Sequence, residues 1–145
     1  MNKYKKFVHY GKIKQTVFLK QTIDWKPRGI YFAPGNSWLK INELAALSKN
    51  KYKIDIDNSV KILVINSITD VEKIIKKYSE LKGKYNLIDW KKISKAYDGI
   101  HITSNILKKI QKKDKAWITK HLFIFMYDVE TLCLWNIENK MLFII

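Results

Sequence analysis

The stretch Pro27-Arg28-Gly29-Ile30-Tyr31-Phe32-Ala33-Pro34-Gly35-Asn36 decides the reading of the fold. Pro27-Arg28-Gly29 is a turn signal, because proline presets one backbone angle and glycine tolerates angles that other residues avoid. Gly29-Ile30-Tyr31-Phe32-Ala33 is a short apolar run with a β-branched residue and two aromatics, which reads as a strand. Pro34-Gly35-Asn36 stops it. Asn36 or Ser37 can then cap a helix over residues 37–49, with Trp38, Ile41, Leu44, Ala45 and Leu47 on one face.

The rest of the chain is read outward from that strand. Phe7-Val8-His9-Tyr10 reads as an opening strand, and residues 16–19 as a strand or a short helix. Residues 52–57 alternate, and residues 60–65 form an apolar run whose only charge is Lys61, so both predict strands. Thr69-Asp70-Val71-Glu72 predicts a capping box opening a helix with Val71, Ile74, Ile75, Tyr78 and Leu81 inward, ending at Gly83. Asp89 caps another helix, with Trp90, Ile93 and Tyr97 on one face. Asp98-Gly99 turns into the strand Ile100-His101-Ile102, and residues 103–113 form a basic amphipathic helix with Ile106, Leu107 and Ile110 inward. Residues 122–126 and 132–135 are strand-like around Asp128-Val129-Glu130-Thr131, and residues 141–145 are a last strand. The elements do not alternate as regular βαβ units. That predicts an α+β fold, with two packed sheets or one split or bent mixed sheet and flanking helices.

Composition narrows the function. The 145 residues suit one domain over residues 1–145. Lys and Arg total 28 against 13 Asp and Glu, a net charge of +15, which favours polyanions by counterion release and steering. Nucleic acid is the first such partner; an acidic protein or membrane surface is the second. Arg28 is the only arginine, so the bidentate readers of phosphate and guanine are scarce. A lysine-rich solvated surface from an AT-rich coding sequence explains the same count. Cys133 is the single cysteine, so no internal disulfide and no cysteine-rich metal site can form. It lies in an apolar strand, where a thiol is usually a small core residue. No apolar leader segment and no run of the ~20 residues needed to cross a bilayer occurs, so a cytoplasmic protein without a membrane partner is expected. Gly-rich phosphate loops, G-x-G-x-x-G and H-E-x-x-H are missing, and His9, His101 and His121 lack metal-ligand spacing.

Three elements stand out: His9-Tyr10-Gly11, then Gly29-Ile30-Tyr31-Phe32-Ala33 with Ser37 close behind, then Asp128-Val129-Glu130-Thr131. Together they resemble the poly(ADP-ribose) polymerase branch of the ADP-ribosyltransferase superfamily, which orders its site as His, Tyr and Glu on three strands. The first motif of that branch usually reads His-Gly, whereas Tyr10 intervenes here. Tyr97-Asp98-Gly99-Ile100 and the spacing from Asp128-Val129-Glu130 to Trp135-Asn136 also resemble small bacterial and phage proteins of this type. The resemblance spans most of the chain in order and covers few residues in identity. It implies an ADP-ribosyltransferase-like fold, NAD as ADP-ribose donor, no metal, and a macromolecular acceptor. A toxin, phage effector or defence role is compatible with it, and so is an inhibitory partner protein.

The chemistry suits the residue types. Cleaving the nicotinamide–ribose bond passes through an oxocarbenium-like state, as in glycoside hydrolysis. A carboxylate near the ribose hydroxyls stabilises that charge, and the resemblance gives this role to Glu130. Tyr31 would stack on the nicotinamide ring. His9 would bond an adenosine-ribose hydroxyl. The backbone at Tyr10 and Gly11, with Ser37, would hold the nicotinamide amide. Arg28, beside Gly29, would meet the pyrophosphate, and Asp128 would orient or deprotonate the acceptor.

For that acceptor, nucleic acid (RNA or DNA) is favoured over protein: Lys108, Lys109, Lys112, Lys113 and Lys115 can track a phosphate backbone, with Trp117 for base stacking. Plainer readings stand beside these. Tyr31 suits a core, His9 a surface, and Asp128 and Glu130 the tip of a hairpin. Tyr97-Asp98-Gly99-Ile100-His101 reads as a helix end, a turn and a strand, with His101 able to line the same cleft. Rival functions are a non-enzymatic basic nucleic-acid-binding protein, or an inactive transferase-like protein that binds a nucleotide or a partner.

Overall fold

The computed structural model describes residues 4–10, 19–35, 37, 51–56, 58–137 and 142–144. The expected helix over residues 37–49 lies outside these apart from Ser37, and so do residues 16–18. The first strands are β1 (Phe7–Tyr10), β2 (Ile23–Asp24), β3 (Ile30–Pro34), β4 (Lys51–Ile54) and β5 (Ile62–Ile65). Helix α1 (Ile68–Tyr78) leads into the hairpin β6 (Ser79–Lys82) and β7 (Tyr85–Asp89). Then come α2 (Trp90–Ile93), β8 (Gly99–Ile102), α3 (Ser104–Ile110), α4 (Lys115–Lys120), a 3-10 turn (Leu122–Met126), β9 (Thr131–Leu134) and β10 (Leu142–Ile144). The fold is α+β, with a mixed sheet ordered β10-β4-β1-β3-β9-β8-β5 and a small antiparallel sheet ordered β2-β7-β6. Among the described residues only the β5–β8 pairing in the large sheet is parallel. Among the described residues no helix is long and apolar enough to cross a membrane.

Strand β3 is the middle strand of the large sheet. Because successive strand residues point to opposite faces, β3 feeds two cores. Ile30 and Phe32 join Phe7, Ile54, Leu132 and Leu134 on one face. Tyr31 lies over Cys133 on the other, beside Ile100, Ile102, Trp90, Trp135 and the inner faces of α1 and α3. Inward Ile106, Leu107 and Ile110 seat α3 as its apolar spacing predicts.

Three local expectations are corrected. The capping box of α1 is Ser67 with Asp70, not Thr69 with Glu72. The Asp70 amide donates to Ser67 Oγ (3.1 Å), and the Ser67 amide donates to Asp70 Oδ2 (3.0 Å). The helix also stops at Tyr78, so Leu81 falls in β6 and is 64% exposed, and Gly83 (φ 62°) makes the hairpin turn rather than a helix cap. Apolar spacing simply ran on past the helix end. Residues 122–126 form a 3-10 turn that buries Phe123 and Ile124, because a short apolar run fits a buried turn as well as a strand.

Candidate active site

The site is built where β8 and β9 lie side by side. His101 pairs with Leu132, and Glu130 precedes Leu132 by two residues, which turns both polar side chains to the same face. His101 Nε2 lies 2.7 Å from Glu130 Oε2, and the side chains are only 14% and 18% exposed. Donation from Nε2–H to the carboxylate leaves Nδ1 to meet Tyr4 Oη at 3.3 Å. Tyr4 is 2% exposed. Its phenol is pushed up to about 12, by burial first and by the negative charge of Glu130 second. The rings of Tyr4 and Phe7 meet His101 edge-on at 5.0 and 5.5 Å, which fixes the imidazole plane. Neither Tyr4 nor Phe7 was singled out for the site, because nothing in their spacing links them to His101.

Glu130 opens onto a cleft of about 370 Å³ that Ser37, Lys108, Gln111 and Asp128 also line. Asp128 is exposed. Ser37 Oγ donates to the Pro34 carbonyl at 2.7 Å, and Thr131 Oγ1 donates to the Val129 carbonyl at 2.7 Å. No strand precedes this turn in the described residues, so Asp128 and Glu130 are not a hairpin tip; the 3-10 turn leads into them.

Four of the expected site residues therefore share one cleft: Ser37, Lys108, Asp128 and Glu130. The others do not. Tyr31 projects from the opposite face of the sheet, opposite Cys133, and its hydroxyl donates to the Pro27 carbonyl. Burial, and then the neighbouring Cys133 and Tyr127, push its phenol well up. Lys26 Nζ sits 5.8 Å from the Tyr31 ring centre and 5.2 Å from that of Tyr127. Stacking on a nicotinamide bound at Glu130 is thus not open to Tyr31; strand alternation puts a β-sheet between them. Cys133 is fully buried, and burial pushes its thiol up to about 12.

His9 lies on the same face as His101, but β1, β3, β9 and β8 set Phe32 and Leu132 between them, a span of about 14 Å at strand spacing. Its Nδ1–H donates to the Tyr31 carbonyl at 2.7 Å. Burial lowers its pKa, and the carbonyl bond only partly opposes this. Tyr10 is half-buried, with Lys51 Nζ 5.5 Å from its ring centre, and Gly11 lies outside the described residues. Arg28 and Gly29 stand before the start of β3, more than about 13 Å along the strand from its Pro34 end.

Gly29 has a packing reason: a Cβ there would lie 2.6 Å from both Cys133 Sγ and the Leu134 carbonyl oxygen. Arg28 is exposed, and the turn around it is tied by Gln21, which is 3% exposed. The Arg28 amide donates to Gln21 Oε1 (2.9 Å), and Gln21 Nε2 donates back to the Arg28 carbonyl (2.6 Å).

Tyr97-Asp98-Gly99-Ile100 and Trp135-Asn136 meet in space. Trp135 Nε1 donates to the Tyr97 carbonyl (2.8 Å), and Asn136 Nδ2 donates to Asp98 Oδ1 (2.8 Å). Asp98 Oδ2 accepts from the Lys61 amide at 2.9 Å, so one carboxylate ties β5, β8 and β9 together. Comparison with known proteins adds no assignment: no family model, curated protein or solved structure matches the chain.

Proposed function

We propose that the protein is an NAD-dependent ADP-ribosyltransferase with a transferase-like α+β fold, acting from Glu130 on a macromolecular acceptor, nucleic acid in preference to protein. The observation that carries this reading is the placement of Glu130. It is a half-buried carboxylate, held by His101 at 2.7 Å, on the wall of a cleft that also holds Asp128, Ser37 and Lys108. A fixed carboxylate in a partly dry site stabilises developing positive charge far better than one in water. The bond between nicotinamide and ribose C1′ breaks, and nicotinamide leaves neutral with the bonding pair. The acceptor oxygen or nitrogen then bonds C1′ and gives its proton to Asp128 or to water. Lys108 supplies a cation for the donor's pyrophosphate. Tyr31 supports β3 from the far face and takes no part, which departs from the His-Tyr-Glu pattern. The cytoplasm is the proposed compartment.

Nicotinamide release from NAD, measured with Glu130→Gln against the parent protein, tests this. Removing the charge without changing the shape is expected to cut turnover by about 100- to 1000-fold while Tm stays unchanged. Parent-level turnover in Glu130→Gln would sink the assignment. The second reading, a nucleic-acid-binding protein without transferase activity, draws on lysines that no carboxylate neutralises. Among the described residues the only ion pair between a lysine and a carboxylate is Lys82–Glu80. It predicts salt-sensitive nucleic-acid binding with no thermal shift on adding NAD.

A further inference from the structure

We infer that a second groove, beyond the C-terminal end of α3, binds single-stranded nucleic acid and leads it toward the Glu130 cleft; the leading role, but not the binding, rests on the transferase reading. The groove has a volume of about 580 Å³ and is lined by Lys112, Lys113, Lys120, Trp117, His121 and Glu72. Its floor is a rigid aromatic plate. Trp117 and His121 lie one helical turn apart and stack with ring centres 4.0 Å apart and planes within 13°. His121 is 7% exposed, and its Nδ1–H donates to the Trp117 carbonyl at 2.7 Å, so the imidazole cannot swing away from the indole.

Three lysines face two carboxylates around this plate. Both carboxylates are used internally. Asp114 caps α4 by accepting the Trp117 amide (2.9 Å), and Glu72 accepts from Trp117 Nε1 (3.4 Å). Lys112, Lys113 and Lys120 belong to no ion pair among the described residues. Lys113 Nζ rests 5.4 Å from the indole centre, where an arriving base would displace it toward the adjoining phosphate.

Flat π surface beside unpaired cations is the chemistry of a single strand, whose bases offer free faces and whose backbone offers regularly spaced charge. A duplex hides those faces, and an acidic peptide has none. The groove also adjoins the cleft along the chain. Gln111 lines the Glu130 cleft and its neighbour Lys112 lines the groove, while Lys108 and Lys109 stand on the face of α3 away from its buried Ile106, Leu107 and Ile110.

The test is fluorescence anisotropy of labelled oligo-dT and oligo-U of roughly 12 nucleotides, without NAD, across a salt series. Replacing Lys112, Lys113 and Lys120 together by alanine should weaken binding about tenfold or more and flatten the log–log salt slope by about 2. Trp117→Leu should weaken binding about 5- to 100-fold with the slope unchanged, its fold checked by circular dichroism. Unchanged binding by the triple-lysine variant overturns the groove assignment. So does equal competition by duplex or by polyglutamate, which would make the occupant a duplex or an acidic protein. Nicotinamide release is followed in parallel. Binding that depends on these lysines in a protein that never releases nicotinamide keeps the groove and discards the transferase reading. Normal release with lysine-independent binding does the opposite.

Discussion

The two faces of the large sheet carry similar titratable groups and put them to different ends. On one face Tyr31, Tyr127 and Cys133 are closed in by the helices, all held neutral by burial. On the other, Tyr4, His101 and Glu130 form a connected chain whose last member reaches a cleft. The residue types alone do not separate the two sets. The opening of Glu130 onto a cleft does. Among the described residues the one buried polar side-chain atom without a hydrogen-bond partner, Tyr127 Oη, belongs to the sealed face.

The largest expected effect that sharpens this contrast lies at His101. His101→Phe should pack among the rings of Tyr4 and Phe7 yet leave Glu130 without its donor. Nicotinamide release should fall about 10- to 100-fold in kcat with KM for NAD unchanged, since a misplaced catalytic group costs that much. His101→Gln, which keeps an N–H donor, should recover part of the loss; equal damage in both variants would make His101 purely structural.

A smaller effect belongs to the sealed face. Tyr31→Phe removes the hydroxyl that bonds the Pro27 carbonyl and should cost about 1 kcal/mol in urea unfolding. Nicotinamide release per folded molecule should not change. A large loss of turnover with full stability would return Tyr31 to the site and break the distinction between faces.

The smallest effect concerns His9 on β1. Its pKa is lowered by burial from the ordinary 6.5, so the fold favours the neutral ring. The unfolded chain therefore binds more protons, and this contribution is complete above about 6.5 and lost as pH falls through the lower native value. Chemical denaturation at a series of pH values should show the parent losing more stability below about 6.5 than His9→Gln does. Parallel curves would mean that His9 is solvated.

Much of the frame was legible in the chain. β1, β3, β5, β8, β9 and α3 follow from apolar runs, turn residues and helical spacing, which are local signals. Glu130, Asp128 and Ser37, taken from the motif resemblance, and Lys108, taken from the basic segment, line one cleft. The Tyr4–His101 contact was not, because it joins residues 97 positions apart and no periodicity records it. Tyr31 was misassigned to the Glu130 cleft for a related reason. A motif orders residues along strands, but the face each one takes depends on register, here Tyr31 opposite Cys133 and Phe32 opposite Leu132. Helix α4 escaped notice because its six residues carry no apolar period and its cap, Asp114, sits inside a lysine run.

The place of β9 between β3 and β8 has a consequence for how the molecule assembles. Before β9 and β10 are made, the large sheet is two separate pieces, β4-β1-β3 and β8-β5, each with a raw edge facing the other. A ribosome delivers β9 after all of these strands, so the sheet closes late and through distant contacts, the kind that slow folding. Glu130 arrives on the same segment. The carboxylate proposed to cleave NAD and the strand that joins the halves are thus made together, so an unfinished chain carries neither.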